Sequence, residues 1–139
     1  MTDVPQDVTK ALLRTQFVLF LRKVFETIDP GVTYLHNWHI DAIVYEVMEL
    51  IEGRNRRLIV NMPPRYLKSI ILSVALPAWI LGRDPTARVI CISYSGELAA
   101  KFSRDFRRVL LRQVKFSKSG GVGSNSWWLL MVGHRFRAK

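Results

Sequence analysis

The sequence predicts an α/β fold in which a parallel β-α-β unit follows two amphipathic helices. Three observations predict it: apolar residues recur at helical spacing in the first fifty positions, two short β-branched runs follow, and a helical pattern comes after each run. With 139 residues, 49% of them hydrophobic, the chain is long enough for one globular core. Its apolar runs are shorter than the roughly 18 residues of a membrane-spanning helix, so no membrane partner is expected.

The first two elements are helices. Apolar residues from 8 to 27 follow one helical face, and the turn-forming triplet Asp29-Pro30-Gly31 ends that helix. From residue 38 to residue 51 apolar positions again follow the i, i+3, i+4, i+7 rule, and Glu52-Gly53 closes the second helix. Both helices precede the first β-branched run.

The β-α-β unit follows. Residues 57–62 and 88–94 are predicted to be buried strands because each is a short β-branched or apolar run bounded by turn residues. Residues 69–81 between them have a helical pattern that Pro77 kinks and Gly82 ends. A last helix is expected over residues 96–111. We therefore assign residues 1–112 to one domain and residues 113–139 to a basic tail, loop-like or disordered.

The excess of positive charge is concentrated in the second half of the chain. Lys and Arg total 21 against 11 Asp and Glu, a formal net charge of +10. From Lys101 onward the only acid is Asp105. Such an excess predicts a polyanionic partner, either nucleic acid or a nucleotide. The single cysteine excludes an internal disulfide, and His36 and His39, although spaced like a metal pair, have no further ligands nearby to complete a zinc site.

One turn has the pattern of a phosphate-binding loop. It reads Asn61-Met-Pro-Pro-Arg-Tyr-Leu-Lys-Ser69, and its Lys-Ser pair opens a helix directly after a predicted strand. In such loops the lysine bridges the outer phosphates and the hydroxyl binds Mg²⁺. The usual glycines are replaced by Met62 and Leu67. The alternative is that Lys68 and Ser69 are simply the exposed first turn of a helix.

Four blocks extend this pattern: Trp38-His39-Ile40, residues 57–69, residues 76–85 and residues 92–108. In order and spacing, over roughly residues 25 to 112, they resemble the N-terminal ATPase region of the large subunit of tailed-phage terminases. In that family a Pro-Pro-Arg loop with a non-glycine residue before Lys-Ser is a familiar variant, which accommodates Leu67. The resemblance implies a partial P-loop NTPase fold and an ATP-driven motor that packages viral DNA into the capsid.

The resemblance also implies roles for single residues. Lys68 and Ser69 would hold the phosphates of ATP, Ser69 would bind Mg²⁺, and Arg65 would contact the γ-phosphate. Trp38 and His39 would pack near the adenine, although Trp38 has the alternative of packing on the core, and for His39 a polar role at the helix start is favoured. The complete predicted nucleotide site is Trp38, His39, Pro64, Arg65, Tyr66, Leu67, Lys68 and Ser69.

The implied partners are double-stranded viral DNA, the terminase small subunit, the portal protein and further copies of the chain, in the cytoplasm of a bacterial host. Hydrolysis would need a later strand that ends in an aspartate, together with a carboxylate that activates water. The acids after Lys68 are Asp84, Glu97 and Asp105, and none ends an apolar strand. We therefore expect a truncated subunit that binds ATP but neither hydrolyses it nor cuts DNA alone, and the hypothesis for its tail is a frameshift or a premature stop in a decaying prophage.

Two other interpretations stay open: a stand-alone basic DNA-binding or interaction module, and a prophage remnant without function. The basic residues of the last helix bear on the first of these. They are expected either to contact DNA phosphates or, as the favoured interpretation, to form a solvated or subunit-facing surface. The residues concerned are Arg104, Arg107, Arg108 and Arg112.

Overall fold

The structure is a computed structural model that describes residues 6–114 and 130–131. The chain divides into two units, Met1–Ile71 and Leu72–Lys139, each of which is described by itself. Helices account for 64% of the described residues. No helix in this described part is both long and apolar enough to cross a membrane.

The first unit opens with two helices where the sequence predicts one. α1 spans Gln6–Thr15 and α2 spans Phe17–Ile28, with Gln16 extended between them (φ −115°, ψ 103°). The Thr15 hydroxyl donates to the carbonyl of Ala11 at 3.0 Å and lies 3.3 Å from that of Leu12. Because such side-chain bonds to the preceding turn compete with helix geometry, the helix breaks just after Thr15.

The third helix, α3, spans Trp38–Ile51, as predicted. The side-chain oxygen of Asn37 accepts a hydrogen bond from the Trp38 N–H at 2.8 Å, so a donor of the first turn is satisfied. After the helix, Gly53 takes a left-handed conformation (φ 76°) that suits glycine. Arg54 then folds back and donates to Glu49 at 2.7 Å and 2.5 Å, which fixes the end of the helix.

The core of the first unit lies on α2 and α3, whose apolar faces the sequence periodicity placed correctly. Leu21 and Val47 are fully buried. The ring of Phe25 packs against Tyr34, in the connection between these helices, with the ring centroids 5.5 Å apart. The buried apolar residues of the two helices are Phe17, Phe20, Leu21, Val24, Phe25, Ile28, Ile40, Ile43, Val44 and Val47.

The helix predicted after residue 69 is present but irregular. It begins as α4 (Lys68–Ile70), widens into a π-helical turn (Ile71–Ala75) and continues as α5 (Leu76–Arg83). Proline lacks the N–H for the bond to the carbonyl four residues earlier and crowds that carbonyl, which accounts for an irregular turn just before Pro77. Asp84 then accepts from the backbone N–H of Thr86 at 2.9 Å and forms the predicted turn.

The second unit continues with β1 (Cys91–Ile92), α6 (Gly96–Val114) and β2 (Leu130–Met131). The two strands pair in parallel, with Cys91 opposite Leu130. α6 begins at the predicted residue and runs three residues further than predicted. The buried apolar residues of this unit are Val74, Ala75, Ala78, Trp79, Phe102, Phe106 and Val109.

The predicted α/β fold is wrong, because the described residues contain no parallel sheet of the P-loop NTPase kind. Residues 57–62 belong to no strand, although their burial alternates with a period of two, and in residues 88–94 only Cys91–Ile92 is a strand. The sequence pattern called for buried strands, yet Ile59 is 93% exposed and Ile90 is 71% exposed. A strand needs a hydrogen-bonded neighbour, and a β-branched run cannot provide one by itself.

The predicted tail, residues 113–139, lies largely outside the described residues. Of that stretch the structure describes the last two residues of α6 and the two residues of β2.

Candidate functional site

The residues of the predicted phosphate loop form a tight turn in the first unit. We call residues 57–62 the extended segment and residues 63–69 the lysine loop. Within the loop, Arg65 (φ 72°) and Leu67 (φ 58°) both have left-handed backbone conformations. Such a conformation costs a non-glycine residue about 1–2 kcal/mol. Leu67 therefore adopts the kind of conformation for which glycine is favoured in phosphate loops, and strain of this kind concentrates at functional sites.

The Lys68 side chain closes the loop. Its Nζ donates a hydrogen bond to the Met62 carbonyl oxygen at 2.5 Å, across six residues of sequence. The side chain is half-buried, so the ammonium group is held at the loop and does not extend into solvent. A positive charge is thereby fixed beside the two left-handed residues of the loop.

The first helical turn, which begins at Lys68, has backbone N–H groups without a helical acceptor. Leu67 is the residue before the helix, and its side chain makes no capping hydrogen bond. The first intrahelical bond runs from the N–H of Ile71 to the carbonyl of Leu67 at 2.9 Å. The N–H groups of Lys68, Ser69 and Ile70 therefore have no helical acceptor, as at every helix start. Ser69, the predicted Mg²⁺ ligand, is half-buried in this first turn.

Aromatic rings lie against the lysine loop. The Tyr66 ring meets the His39 ring edge to face at a centroid distance of 5.1 Å, and His39 meets Trp38 at 6.3 Å. His39 is buried, whereas Trp38 is 77% exposed. His39 and Tyr66, 27 residues apart in sequence, thus bring the start of α3 and the lysine loop together. The exposed Trp38 face is free for stacking, and packing of Trp38 on the core is not what the structure has.

Pro64 and Arg65 form the outer, exposed part of the loop. In the part of the chain that the structure describes, Arg65 makes no ion pair. An exposed guanidinium without a carboxylate partner is available to an anionic ligand.

The two histidines of the predicted metal pair have different partners. His36 Nε2 lies 2.9 Å from an Asp41 carboxylate oxygen, and its Nδ1 lies 3.3 Å from the Tyr34 hydroxyl. His39 instead packs on Tyr66. Burial raises the pKa of Tyr34, which keeps that hydroxyl protonated. No group of three or more metal-ligating side chains occurs among residues 6–114 and 130–131.

The acids after Lys68 lie in the turn after α5 and on α6. Asp84 accepts from the Thr86 hydroxyl at 2.6 Å, and this bond lowers the pKa of Asp84. Glu97 lies in the first turn of α6. Asp105 is buried and lies 3.8 Å from Arg108. None of the three ends a strand, in agreement with the sequence analysis.

The basic face of α6 is exposed. Lys101, Arg104 and Arg112 form no ion pair with any described residue, whereas Arg107 donates to the Ser103 carbonyl at 3.3 Å and Arg108 faces Asp105. These cations are spread over the twelve residues from Lys101 to Arg112, roughly 16 Å along the helix.

Sequence reasoning missed a groove in the first unit. A cavity of about 300 Å³ lies between α3 and the extended segment, lined by Trp38, Ala42 and Glu46 on one side and by residues 58–62 on the other. We call it the α3 groove. No signal in the sequence indicates it, since Leu58, Ile59 and Val60 are all apolar and the alternation of half-buried and exposed residues is visible only in the structure.

Comparisons with known proteins identify no relative: no family model, no curated protein and no solved structure matches the chain.

Proposed function

We propose that the lysine loop binds the phosphates of Mg-ATP, and that the chain is the ATP-binding part of a terminase-like motor that packages viral DNA. The observation that carries this proposal is the closure of the loop by Lys68 on the Met62 carbonyl, around two non-glycine residues in left-handed conformations. The proposal rests on this local geometry and on the terminase resemblance. It does not depend on a parallel sheet.

The backbone of the loop favours an anionic ligand. Left-handed residues that alternate with right-handed ones turn successive N–H groups toward one side, a concave arrangement that binds anions. Leu67 and the helical residues after it have this alternation. Strain at Arg65 and Leu67 opposes folding, and a bound phosphate that accepts from the aligned N–H groups would offset it.

The side chains have complementary roles. Lys68 would exchange the Met62 carbonyl for a phosphate oxygen, a stronger, charge-assisted acceptor. The Ser69 hydroxyl would contribute one ligand to the Mg²⁺ that accompanies the nucleotide. Arg65 would contact the outermost phosphate, and the exposed Trp38 ring offers a surface on which the adenine can stack.

The wider assignment follows the resemblance. It includes double-stranded viral DNA, the terminase small subunit, the portal protein and a homo-oligomeric ring as partners, in the cytoplasm of a bacterial host. We propose binding without hydrolysis, because Asp84, Glu97 and Asp105 are all committed to turn or helix positions away from a strand end.

A thermal-shift titration with Mg-ATP tests the proposal, with Lys68→Ala compared with Lys101→Ala. Both variants lose one positive charge, but Lys101 is an exposed residue of α6. A ligand that binds only the folded chain stabilises it by about 2.7 kcal/mol at a hundredfold excess over Kd. We expect this shift for the wild type and for Lys101→Ala, and none for Lys68→Ala.

Inorganic tripolyphosphate, at the same concentration and ionic strength, is the control for general attraction of anions to a basic protein. Equal shifts for all three proteins, or no shift for any of them, would contradict the proposal.

A second candidate function is polyanion binding by the exposed cations of α6. The observation that favours it is the row of basic side chains there, of which Lys101, Arg104 and Arg112 have no ion-pair partner in the described residues. DNA affinity would then fall with salt at a slope of about −0.9 per phosphate contacted. Charge reversal at Arg104 and Arg112 should reduce both the affinity and the slope, and an unchanged slope would contradict this function.

A further inference from the structure

We propose that the extended segment is a docking edge for an acidic polypeptide, which adds to it as a β-strand beside the α3 groove. This inference does not rest on ATP binding, although the groove includes Trp38 and the segment ends at Met62, whose carbonyl accepts a hydrogen bond from Lys68.

The extended segment has the form of a strand that lacks its neighbour. Its residues alternate strictly: Leu58, Val60 and Met62 are half-buried, and the residues between them are exposed. Alternation with a period of two is the side-chain geometry of a β-strand. In the described part of the chain residues 57–61 form no backbone hydrogen bond, and the Met62 carbonyl receives only the Lys68 side chain.

Proteins bind extended peptides at unpaired strand edges, where the peptide adds as a further strand. The main chain of the incoming strand supplies hydrogen bonds to the edge, and its alternate side chains enter the adjoining groove. In strand geometry the six residues of this segment would offer roughly 20 Å of edge. The α3 groove beside them, at about 300 Å³, is at the lower limit of small-molecule pockets, a size suited to one or two apolar side chains.

The charges select the partner. Arg56 and Arg57 lie at the beginning of the edge, both exposed and without an ion pair among the described residues. Of the neighbouring acids, Glu49 and Glu52 pair with Arg54, and Glu46, which lines the groove, accepts a hydrogen bond from Asn55 at 3.4 Å. An incoming strand with carboxylates at that end would therefore be steered and retained. A second copy of this chain is disfavoured as the occupant, since two chains of net charge +10 repel each other.

The experiment uses the full chain and two labelled peptides, Val-Thr-Val-Thr-Val-Glu-Asp-Glu and its reverse, which match antiparallel and parallel addition. Fluorescence polarisation reports the affinity. We expect one peptide to bind, and its counterpart with lysines in place of the acids to bind about threefold to tenfold more weakly. Methylation of alternate peptide nitrogens should abolish binding because it removes the strand-forming donors.

Ile59→Pro and Ile59→Ala are the matched variants. Ile59 is 93% exposed, so neither change disturbs the core. Proline removes the N–H at the centre of the edge and should weaken peptide binding about tenfold, whereas alanine keeps the N–H and should bind within about threefold of the wild type. Thermal melts of both variants confirm that they fold. The peptide titrations contain no nucleotide, so a failure of ATP binding would leave this result intact.

Three results would overturn the proposal. The first is peptide binding by Ile59→Pro that equals that of Ile59→Ala. The second is equal affinity for the acidic and the lysine peptides. The third is a dimer of the chain alone, seen by light scattering, that Ile59→Pro converts to monomer, because the edge would then be occupied by a second copy.

Discussion

The pair of helices α2 and α3 and the stretch that follows them, residues 57–69, belong to the same unit but are built in opposite ways. In the helices, apolar side chains are buried and backbone groups are paired within the helix. In the later stretch, Ile59 is almost fully exposed, the extended backbone lacks partners, and two residues are left-handed. The comparison shows that the packed helices supply the stability of this unit. The later stretch has strained residues and backbone groups without hydrogen-bond partners among the described residues, and these groups are available for binding.

The largest expected effect contrasts a helix residue with a residue of the extended segment. Leu21→Ala removes a fully buried side chain and should lower the free energy of unfolding by about 2–5 kcal/mol. Ile59→Ala removes an exposed one and should change it by no more than about 0.5 kcal/mol. Urea denaturation of both variants measures the difference. Similar losses would mean that the extended segment is packed as tightly as the helices.

The next effect concerns the start of α3. Asn37→Ala removes the side-chain acceptor of the Trp38 N–H and should cost about 1 kcal/mol. Asn61→Ala is the matched control, since Asn61 is exposed on the extended segment and caps no helix. The same denaturation experiment should find the control unchanged. Equal costs for the two asparagines would contradict a capping role for Asn37.

A smaller effect tests the strain in the lysine loop. Leu67→Gly and Leu67→Ala remove nearly the same side chain, so their difference reports the backbone. The left-handed conformation at position 67 costs alanine about 1–2 kcal/mol. Glycine avoids this cost but is destabilised by about 0.5–1 kcal/mol because its unfolded chain has more conformational freedom. The glycine variant should therefore be more stable by about 0.5–1 kcal/mol. Greater stability of the alanine variant would place Leu67 in an ordinary conformation.

The smallest effect is a dependence on pH at the end of α3. The hydrogen bond from Arg54 holds the pKa of Glu49 below its usual value, so the bond contributes stability above the unfolded pKa and loses it as the pH falls through the folded pKa. The melting temperature of Arg54→Gln should therefore lie below that of the wild type at about pH 7 and approach it near pH 3. Arg57→Gln, without an ion pair in the described residues, should show no such convergence, and a constant gap for Arg54→Gln would contradict the role of Glu49.

The helices could be predicted from sequence, and the strands could not. The bounds of α3 follow from apolar periodicity and a polar residue just before Trp38, both of which are local signals. The break at Gln16 escaped prediction because it depends on how the Thr15 hydroxyl bonds to the preceding turn. Residues 57–62 have the composition of a buried strand, but a β-branched run indicates only a propensity to pair, and the pairing itself depends on a partner distant in sequence.

The candidate site was predictable in composition but not in geometry. The Lys-Ser pair marked the loop, and the terminase resemblance drew attention to Trp38 and His39. The contact between His39 and Tyr66 required the fold, as did the return of Lys68 to the Met62 carbonyl. The sequence does not indicate that Leu67 has a left-handed backbone conformation, because that conformation is usually found at glycine.

The most direct test of the central claim, that the lysine loop binds the phosphates of Mg-ATP, is an NMR titration of the ¹⁵N-labelled chain with Mg-ATP. The account predicts that the amides of residues 65–70 shift first and saturate together, while those of the basic face of α6 move little. Shifts confined to α6, with the loop amides unmoved, would show only general attraction between a basic helix and an anion and would contradict the account.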